Sequence, residues 1–474
     1  METVRESAMR PITEEFAAWA AGIDASSLPA PVVARAKALV LDLVGNIVRA
    51  RHDAESTPAL LAAARSLGLC GGTATVFGDA ARYTPAGAAL VNGALAHSLD
   101  FDDTHAAGSL HPGAPVIPAA LAAAELVRAS GARLVAGIVA GYEATIRLAL
   151  ALPAGDHYDR GFHPTATCGA FGGAVAAARV FGLDARGMAD ALGIALSQAA
   201  GSLQFLANGA WTKRFQVGWS AMAGLAAASL AREGFRGASE AIEGRHGFLR
   251  AYAPAPRPER VLEGLGEVFE LMATAVKPYP SCRYGHAAID AALALRAEHG
   301  LRPEEITAVT VHLPAKGMLL IGAPAEKKAE PRNVVDAQFS GPFVVAAALA
   351  TGAMGWESYA LLDDPVVRAL ARRIRCVEDP EIEAEFPANM AGRTTVETGR
   401  GSFSAKVVVP KGEPGNFLTE AELAAKFHGL ADAILTPPKA AALAETILSL
   451  EALPDVTELA RLAGPVSAVR LAGE

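Results

Sequence analysis

A chain of 474 residues is too long for one ordinary hydrophobic core, so two domains are expected. Hydrophobic residues make up 51% and charged residues 19%, which excludes wholesale disorder and points to a globular protein. The formal net charge of −8 argues against a nucleic-acid partner and against attraction to an anionic membrane, so cations that hold an anionic ligand must be local.

In chain order, 12–22 and 31–50 carry apolar residues at three- and four-residue spacing and are predicted helices; 56–67 is another. After Gly71 and Gly72, TATVFG reads as a short strand or connector. Helices are predicted at 85–98 and 115–129, each with proline in its first turn. Others follow at 134–151, 165–181 and 185–199. The stretch 204–216 reads as less regular, 217–233 as helical, and 238–251 as two short helices around GRHGF. The glycines of GIVAGYEA and GAFGGAVAA fall inside helical patterns and imply close helix packing.

The pattern changes after Pro256. ITAVTVHL (306–313) alternates and is β-branched, as a strand requires. Two further runs, 394–397 and 402–409, flank TGRG and read as a hairpin. Helices are predicted at 285–299, 337–351 and 365–373, and again through 419–462. The expected fold is mainly α: a large helical domain (1–265 and 412–474) with a smaller α+β domain inserted at 266–411.

Four scattered cysteines (Cys70, Cys168, Cys282, Cys376) form no C-x-x-C pair, so neither a zinc site nor a disulfide framework is expected. The N-terminal METVRESAMRPITEEF lacks the apolar run of a secretory signal. Apolar stretches such as 114–124 are short for a membrane span, and Gly, Pro or charge interrupts the longer ones. A soluble, cytoplasmic protein with no membrane partner is the expectation.

Chemistry-bearing residues gather in four places. The stretch 92–118 sets Asp100, Asp102, Asp103, Thr104, His97, His105 and His111 between apolar runs. It reads as a helix cap, as a carboxylate–imidazole metal site, or as the floor of an active site. GFHPTATCG places His163 before a small-residue helix, where the positive helix end favours an anion. GAWTKRFQVGWS sets Lys213 and Arg214 between Trp211 and Trp219. VKPYPSCRYGH carries Lys277, Ser281, Arg283 and His286 at the domain boundary, a rigid segment suited to a carboxylate. No nucleophile elbow, phosphate-binding loop or dinucleotide fingerprint is present. Acid–base groups with lysines and arginines suit proton abstraction beside a carboxylate.

AHSLDFDDTH, HPGAPVIPAALAAAE, GYEATIRL, GFHPTATCGAFGG, ALGIALSQAAGSLQF, the KRF…GWSAMAGLAAASLAREGF run, KPYPSC…H and DAQFSGPFVVAAAL together resemble the MmgE/PrpD family, in order and over nearly the whole chain. The resemblance implies a homodimer of two-domain subunits in which the smaller α+β domain is a lid, no metal, no cofactor, and a small di- or tricarboxylate substrate. It implies catalytic roles for His111, Asp100, His163, Lys213 and Lys277. His111 would move the proton, the lysines would hold carboxylates, Asp100 would tune a neighbouring imidazole or lysine, and Thr104 would line the pocket. Arg214, Arg283 and His286 are further carboxylate candidates on physical grounds. Asp102 and Asp103 are read as folding the loop, with His97 and His105 structural. The chain departs from the family pattern at Phe343, where several members carry a lid tyrosine, at Gln216–Val217, where His-Pro is frequent, and at Asn208, where Asp is frequent. The expected activity is that of a hydro-lyase resembling 2-methylcitrate dehydratase. Epimerisation (iminodisuccinate-like), decarboxylation (cis-aconitate-like) and non-catalytic carboxylate binding are the alternatives.

Overall fold

A computed structural model of the chain describes residues 11–465. The protein is mainly α-helical, and its contacts divide it into two compact units: Met1–Thr274 with Leu430–Glu474, and Ala275–Gly429.

The first unit is built from helices, among them Ala30–Asp53, Pro85–Ala96, Gly113–Val127, Gly131–Ala151, Pro164–Phe181 and Thr212–Arg232. Side chains that accept from a first-turn amide open several of them: Thr84 caps through Gly87 N, and Ser130 through Arg133 N. Gly113–Val127, Gly131–Ala151 and Pro164–Phe181 are alanine- and glycine-rich and buried on nearly every side, as core helices are. Close approach is what the embedded glycines supply. A Cβ at Gly141 would lie 2.8 Å from the Gly172 carbonyl oxygen, and one at Gly172 would lie 1.8 Å from Thr145 Oγ1. Gly131–Ala151 is also long and apolar enough to cross a membrane, but 94% of its most apolar window is buried inside the protein, so it serves as a core helix.

One buried ion pair ties this core to the irregular segment that follows it. Arg147 is fully buried and donates to Glu143 Oε2 (2.8 Å) one turn back, and to the carbonyls of Val261, Glu263 and Val268. Glu143 accepts from Leu271 N (3.0 Å). Every arm of the pair is used, which is the condition for burying charge. Arg147→Met would leave Glu143 uncompensated. We expect it to lower stability by about 3–5 kcal/mol, read from urea denaturation of the two proteins.

The second unit holds a four-stranded sheet in the order Ile374–Glu378, Ile306–Leu313, Gly392–Thr398, Gly401–Val407. Its first pair is parallel (Val309 opposite Ile374) and the other two pairs are antiparallel. Helices His286–His299 and Gly341–Thr351 close an apolar core with Ile289, Val309, Val311, Val345, Leu349 and Val396.

Several elements differ from the sequence reading. IRCVE (374–378) is a strand that alternation over so few residues does not reveal; it exists because Ile306–Leu313 offers it a parallel partner. The run 337–351 is two helices, Val334–Gln338 and Gly341–Thr351, because Ser340 turns its hydroxyl to cap the second through Phe343 N. Of the two short helices expected in 238–251, one forms, Phe248–Tyr252; the other span is turns. Most consequential is the helix Thr212–Arg232. It begins five residues before 217, so Lys213 and Gln216 sit on its opening turns.

Candidate active site

The first unit brings together His97, Asp100, Asp102, His111, His163 and Lys213. Each lies at or near the end of a helix. His97 is the residue after Pro85–Ala96, His111 lies two residues before Gly113–Val127, His163 is the N-cap of Pro164–Phe181, and Lys213 is the second residue of Thr212–Arg232. Hydrogen bonds join the last three helices near the start of Pro164–Phe181. His111 N donates to Thr165 Oγ1 (3.2 Å), and Ser220 Oγ donates to the Ala166 carbonyl (2.8 Å). Helix N-termini carry partial positive charge, so the cluster is built where an anion is welcome despite the acidic chain.

At its centre is Asp102, fully buried. Its Oδ2 lies 2.6 Å from His97 Nδ1 and 3.4 Å from His111 Nδ1. The His97 and His111 rings meet edge to face at 4.7 Å, and the His97 and His163 rings lie 5.9 Å apart. Burial opposes the Asp102 charge, but the two imidazoles outweigh it and hold the carboxyl well below its usual range. Burial pushes His97 down, with Lys213 and His111 adding to the effect and Asp102 opposing it. The two partners agree on one state at neutral pH: an anionic Asp102 accepting Nδ1–H from a neutral His97. His163 is likewise held well below its ordinary value, by burial first and then by His97, Lys213 and His111.

Asp100 faces elsewhere. Its backbone is left-handed (φ 54°), a conformation that costs most residues about 1–2 kcal/mol, and its Oδ1 accepts from Lys213 Nζ at 3.2 Å. Burial weakens the lysine's charge, but Asp100 and Asp102 outweigh it and hold Lys213 above its ordinary value. Lys213 is therefore a fixed ammonium, suited to binding a carboxylate or an enolate-like oxygen and not to acting as a nucleophile.

Sequence reasoning set Asp102 and His97 aside, yet this carboxylate, and not Asp100, stands behind the His111 imidazole. The signal available was the i, i+5 pairing of His97 and Asp102 across a helix end; spacing alone does not say which of three aspartates turns inward. Asp103 does fold the loop: it accepts from Gly113 N and from the Tyr142 hydroxyl, and burial raises its pKa to about 7. His105 accepts from Gly108 N and faces Glu270 at 3.8 Å, a structural setting.

Other expected residues have different partners. Arg214 donates to Ser56 Oγ (3.1 Å) and lines an apolar hollow of about 300 Å³ with Leu60, Leu67, Trp211 and Phe215. Adjacent helical residues point about 100° apart, which is why Lys213 and Arg214 part company. Thr104 is buried, and its hydroxyl has no hydrogen-bond partner among the described residues. In the second unit, Lys277 is buried; Arg283 is closed into an ion pair with Glu413; and His286 is buried, its Nε2 3.1 Å from the Ser281 carbonyl. Phe343, expected as a substrate-binding position, lies in the apolar core of that unit and stacks on Tyr359.

Three buried atoms at the centre make no hydrogen bond among the described residues: His97 Nε2, Asp102 Oδ1 and His111 Nδ1, the last of which lies 3.4 Å from Asp102 Oδ2, an ion-pair distance. Each such atom costs about 1–3 kcal/mol, a cost that native proteins carry where a ligand or water completes the set. By composition, His97, Asp102 and His111 could ligate a metal, and their ligand atoms lie within 4.8 Å of one another. Two ligands on one ion, about 2.0–2.2 Å from it, stand roughly 3–3.4 Å apart. The 2.6 Å between His97 Nδ1 and Asp102 Oδ2 is instead a shared-proton distance. We expect prolonged EDTA treatment to leave turnover unchanged; activity lost to EDTA and restored by a divalent ion would reverse that assignment.

The MmgE/PrpD N-terminal domain matches residues 14–261, and the MmgE/PrpD C-terminal domain matches residues 279–452. The chain belongs to the MmgE/PrpD family. This member is similar to a cis-aconitate decarboxylase-like protein, oryM, of Aspergillus oryzae, at 29% identity over 95% of this chain and 97% of the relative. It is also similar to cis-aconitate decarboxylase of Aspergillus terreus, at 28% over 95% of each chain. A third relative is cis-aconitate decarboxylase of Homo sapiens, at 27% over 96% of this chain and 95% of the relative.

Proposed function

We propose that this MmgE/PrpD protein is a lyase acting on a small tricarboxylate through its own acid–base side chains. The observation that carries the reading is the His111 imidazole backed by buried, anionic Asp102, in a cluster that also holds the charged Lys213. A carboxylate behind an imidazole orients the ring and stabilises its protonated form, so the ring accepts or delivers a proton at its other nitrogen. Lys213 supplies the fixed charge that an enolate-like intermediate requires.

Two bond cleavages fit this machinery. In decarboxylation, the bond to a carboxylate breaks, CO₂ leaves, and protonated His111 delivers a proton to the resulting carbanion. In dehydration, His111 takes the proton next to a carboxylate, the electron pair forms the carbon–carbon double bond, and the hydroxyl leaves as water with the proton returned to it by the protonated His111. The relatives are named for decarboxylation, which favours the first form. The second rests on the same base beside the same cation. Lys277, Arg283 and His286 keep the carboxylate-binding role implied by their sequence segment, and a homodimer belongs to the same proposal. Exposed Trp211, Phe215 and Trp219 in the first unit support an apolar contact of that kind.

The test is incubation with cis-aconitate, citrate and 2-methylcitrate in D₂O, followed by proton NMR with CO₂ detection. Released CO₂ supports decarboxylation, and loss or gain of water without CO₂ supports dehydration. Deuterium exchange without net conversion would support epimerisation. Thermal stabilisation by these acids with no chemistry at all would contradict catalysis and leave a carboxylate-binding protein.

A further inference from the structure

The second turn of Thr212–Arg232 carries another polar residue on the Lys213 side of the helix. Gln216 lies three residues on from Lys213, and such positions share a face. Its amide makes two contacts. Ser202 N donates to Oε1 at 2.9 Å, and Nε2 lies 2.8 Å from His163 Nδ1. The first contact orients the second. A backbone N–H can only donate, so the end of the amide that faces Ser202 must be the oxygen. The opposite end is then NH₂, which can only donate, and it points at His163 Nδ1. That nitrogen must present its lone pair.

A neutral imidazole with a bare Nδ1 carries its proton on Nε2. An imidazolium would set N–H against NH₂, donor against donor. The surrounding backbone holds the parts in register. His163 N donates to the Gly201 carbonyl (3.2 Å) and Leu203 N to the Gly161 carbonyl (2.8 Å), so the segment bearing Ser202 is stitched to the one bearing His163. The charged and titratable groups around the ring are His97, His111 and Lys213, which disfavour a second proton, and Asp102, which favours one.

We propose that Gln216 is a positioning residue that fixes His163 as the neutral Nε2–H tautomer, so that His163 meets the substrate as a hydrogen-bond donor and not as a base. The proposal rests on the reading of this cluster as the active site. It divides the labour between the two imidazoles: His111, with Asp102 behind it, moves the proton, and His163 donates a hydrogen bond to a carboxylate or a leaving oxygen.

The experiment is nitrogen NMR of the whole protein labelled at histidine ring nitrogens, with His163 assigned by its loss in His163→Asn. In the wild type, we expect a protonated Nε2 and a bare Nδ1 across the neutral range. In Gln216→Glu the carboxylate can only accept, so the ring proton moves to Nδ1 or the ring takes a second proton. A wild-type signal with Nδ1 protonated would overturn the proposal, as would a folded Gln216→Glu variant whose His163 pattern is unchanged. Should that variant not fold, the wild-type spectrum alone decides. None of these readouts requires turnover. An Nε2–H signal in a protein inert toward every acid tested would keep the tautomer and overturn the catalytic reading beneath it.

Discussion

Asp102→Asn and His111→Ala are each expected to lower turnover by roughly 10²- to 10⁴-fold, and the double variant is expected to lose little more than either alone. The reason is geometric. Asp102 Oδ2 lies between His97 Nδ1 and His111 Nδ1, and both imidazoles keep it ionised against the cost of its burial. When His111 accepts a proton, the fully buried carboxylate 3.4 Å away stabilises the new charge, and burial of that carboxylate makes the interaction larger than it would be in water. An asparagine has the same shape and no charge. Its oxygen still accepts from His97 Nδ1, so the fold is expected to remain within about 1 kcal/mol of wild-type stability. Activity lost with stability kept separates a catalytic Asp102 from a loop-folding one. Steady-state kinetics and urea denaturation of the three variants give both numbers. Losses that multiply in the double variant would mean that Asp102 and His111 act independently.

Lys213→Met is expected to cost about 10²- to 10³-fold in kcat/KM, the usual loss for one preorganised charge facing a developing anion. Lys213→Arg keeps the charge but not the compact ammonium, and is expected to recover part of the loss. Asp100→Asn tests the same charge more gently. Lys213 is held above its ordinary value, so its charge persists through the neutral and mildly alkaline range. Removing the larger of the two acidic influences leaves Asp102 alone against burial. The lysine then loses its proton at lower pH, and the alkaline limb of the pH–rate profile is expected to move down in Asp100→Asn relative to wild type. An unmoved limb would show that Lys213 ionisation does not govern activity there.

Much of this arrangement was legible in the sequence. A short run of acids and histidines between apolar helices is conspicuous, and the helices around it follow from periodicity and from prolines in their first turns. His111, His163, Lys213 and Asp100 were identified in this way together with the family resemblance, and the structure gathers all four. Asp102 and His97 were set aside because separation along a loop carries no direction. The left-handed turn at Asp100 sends one carboxylate to Lys213, while Asp102 meets two imidazoles. Arg214 looked equivalent to Lys213 because 204–216 gave no periodic signal. Once Thr212 starts a helix, neighbours in sequence become neighbours on different faces. The strand at 374–378 stayed hidden for the complementary reason: a parallel partner more than 60 residues away makes it a strand, and no local pattern reports that pairing.

The most direct measurement is solvent proton transfer by wild type and His111→Ala in D₂O, using whichever tricarboxylate the wild type converts. Mass spectrometry of the product counts the deuterium. If the wild type decarboxylates, it is expected to place one deuterium on the carbon next to a carboxylate; if it dehydrates, it is expected to place that deuterium when run from the unsaturated acid in the hydration direction. His111→Ala binds the acid and incorporates none in either case. Incorporation by His111→Ala at a rate near that of wild type would contradict His111 as the proton-transferring group.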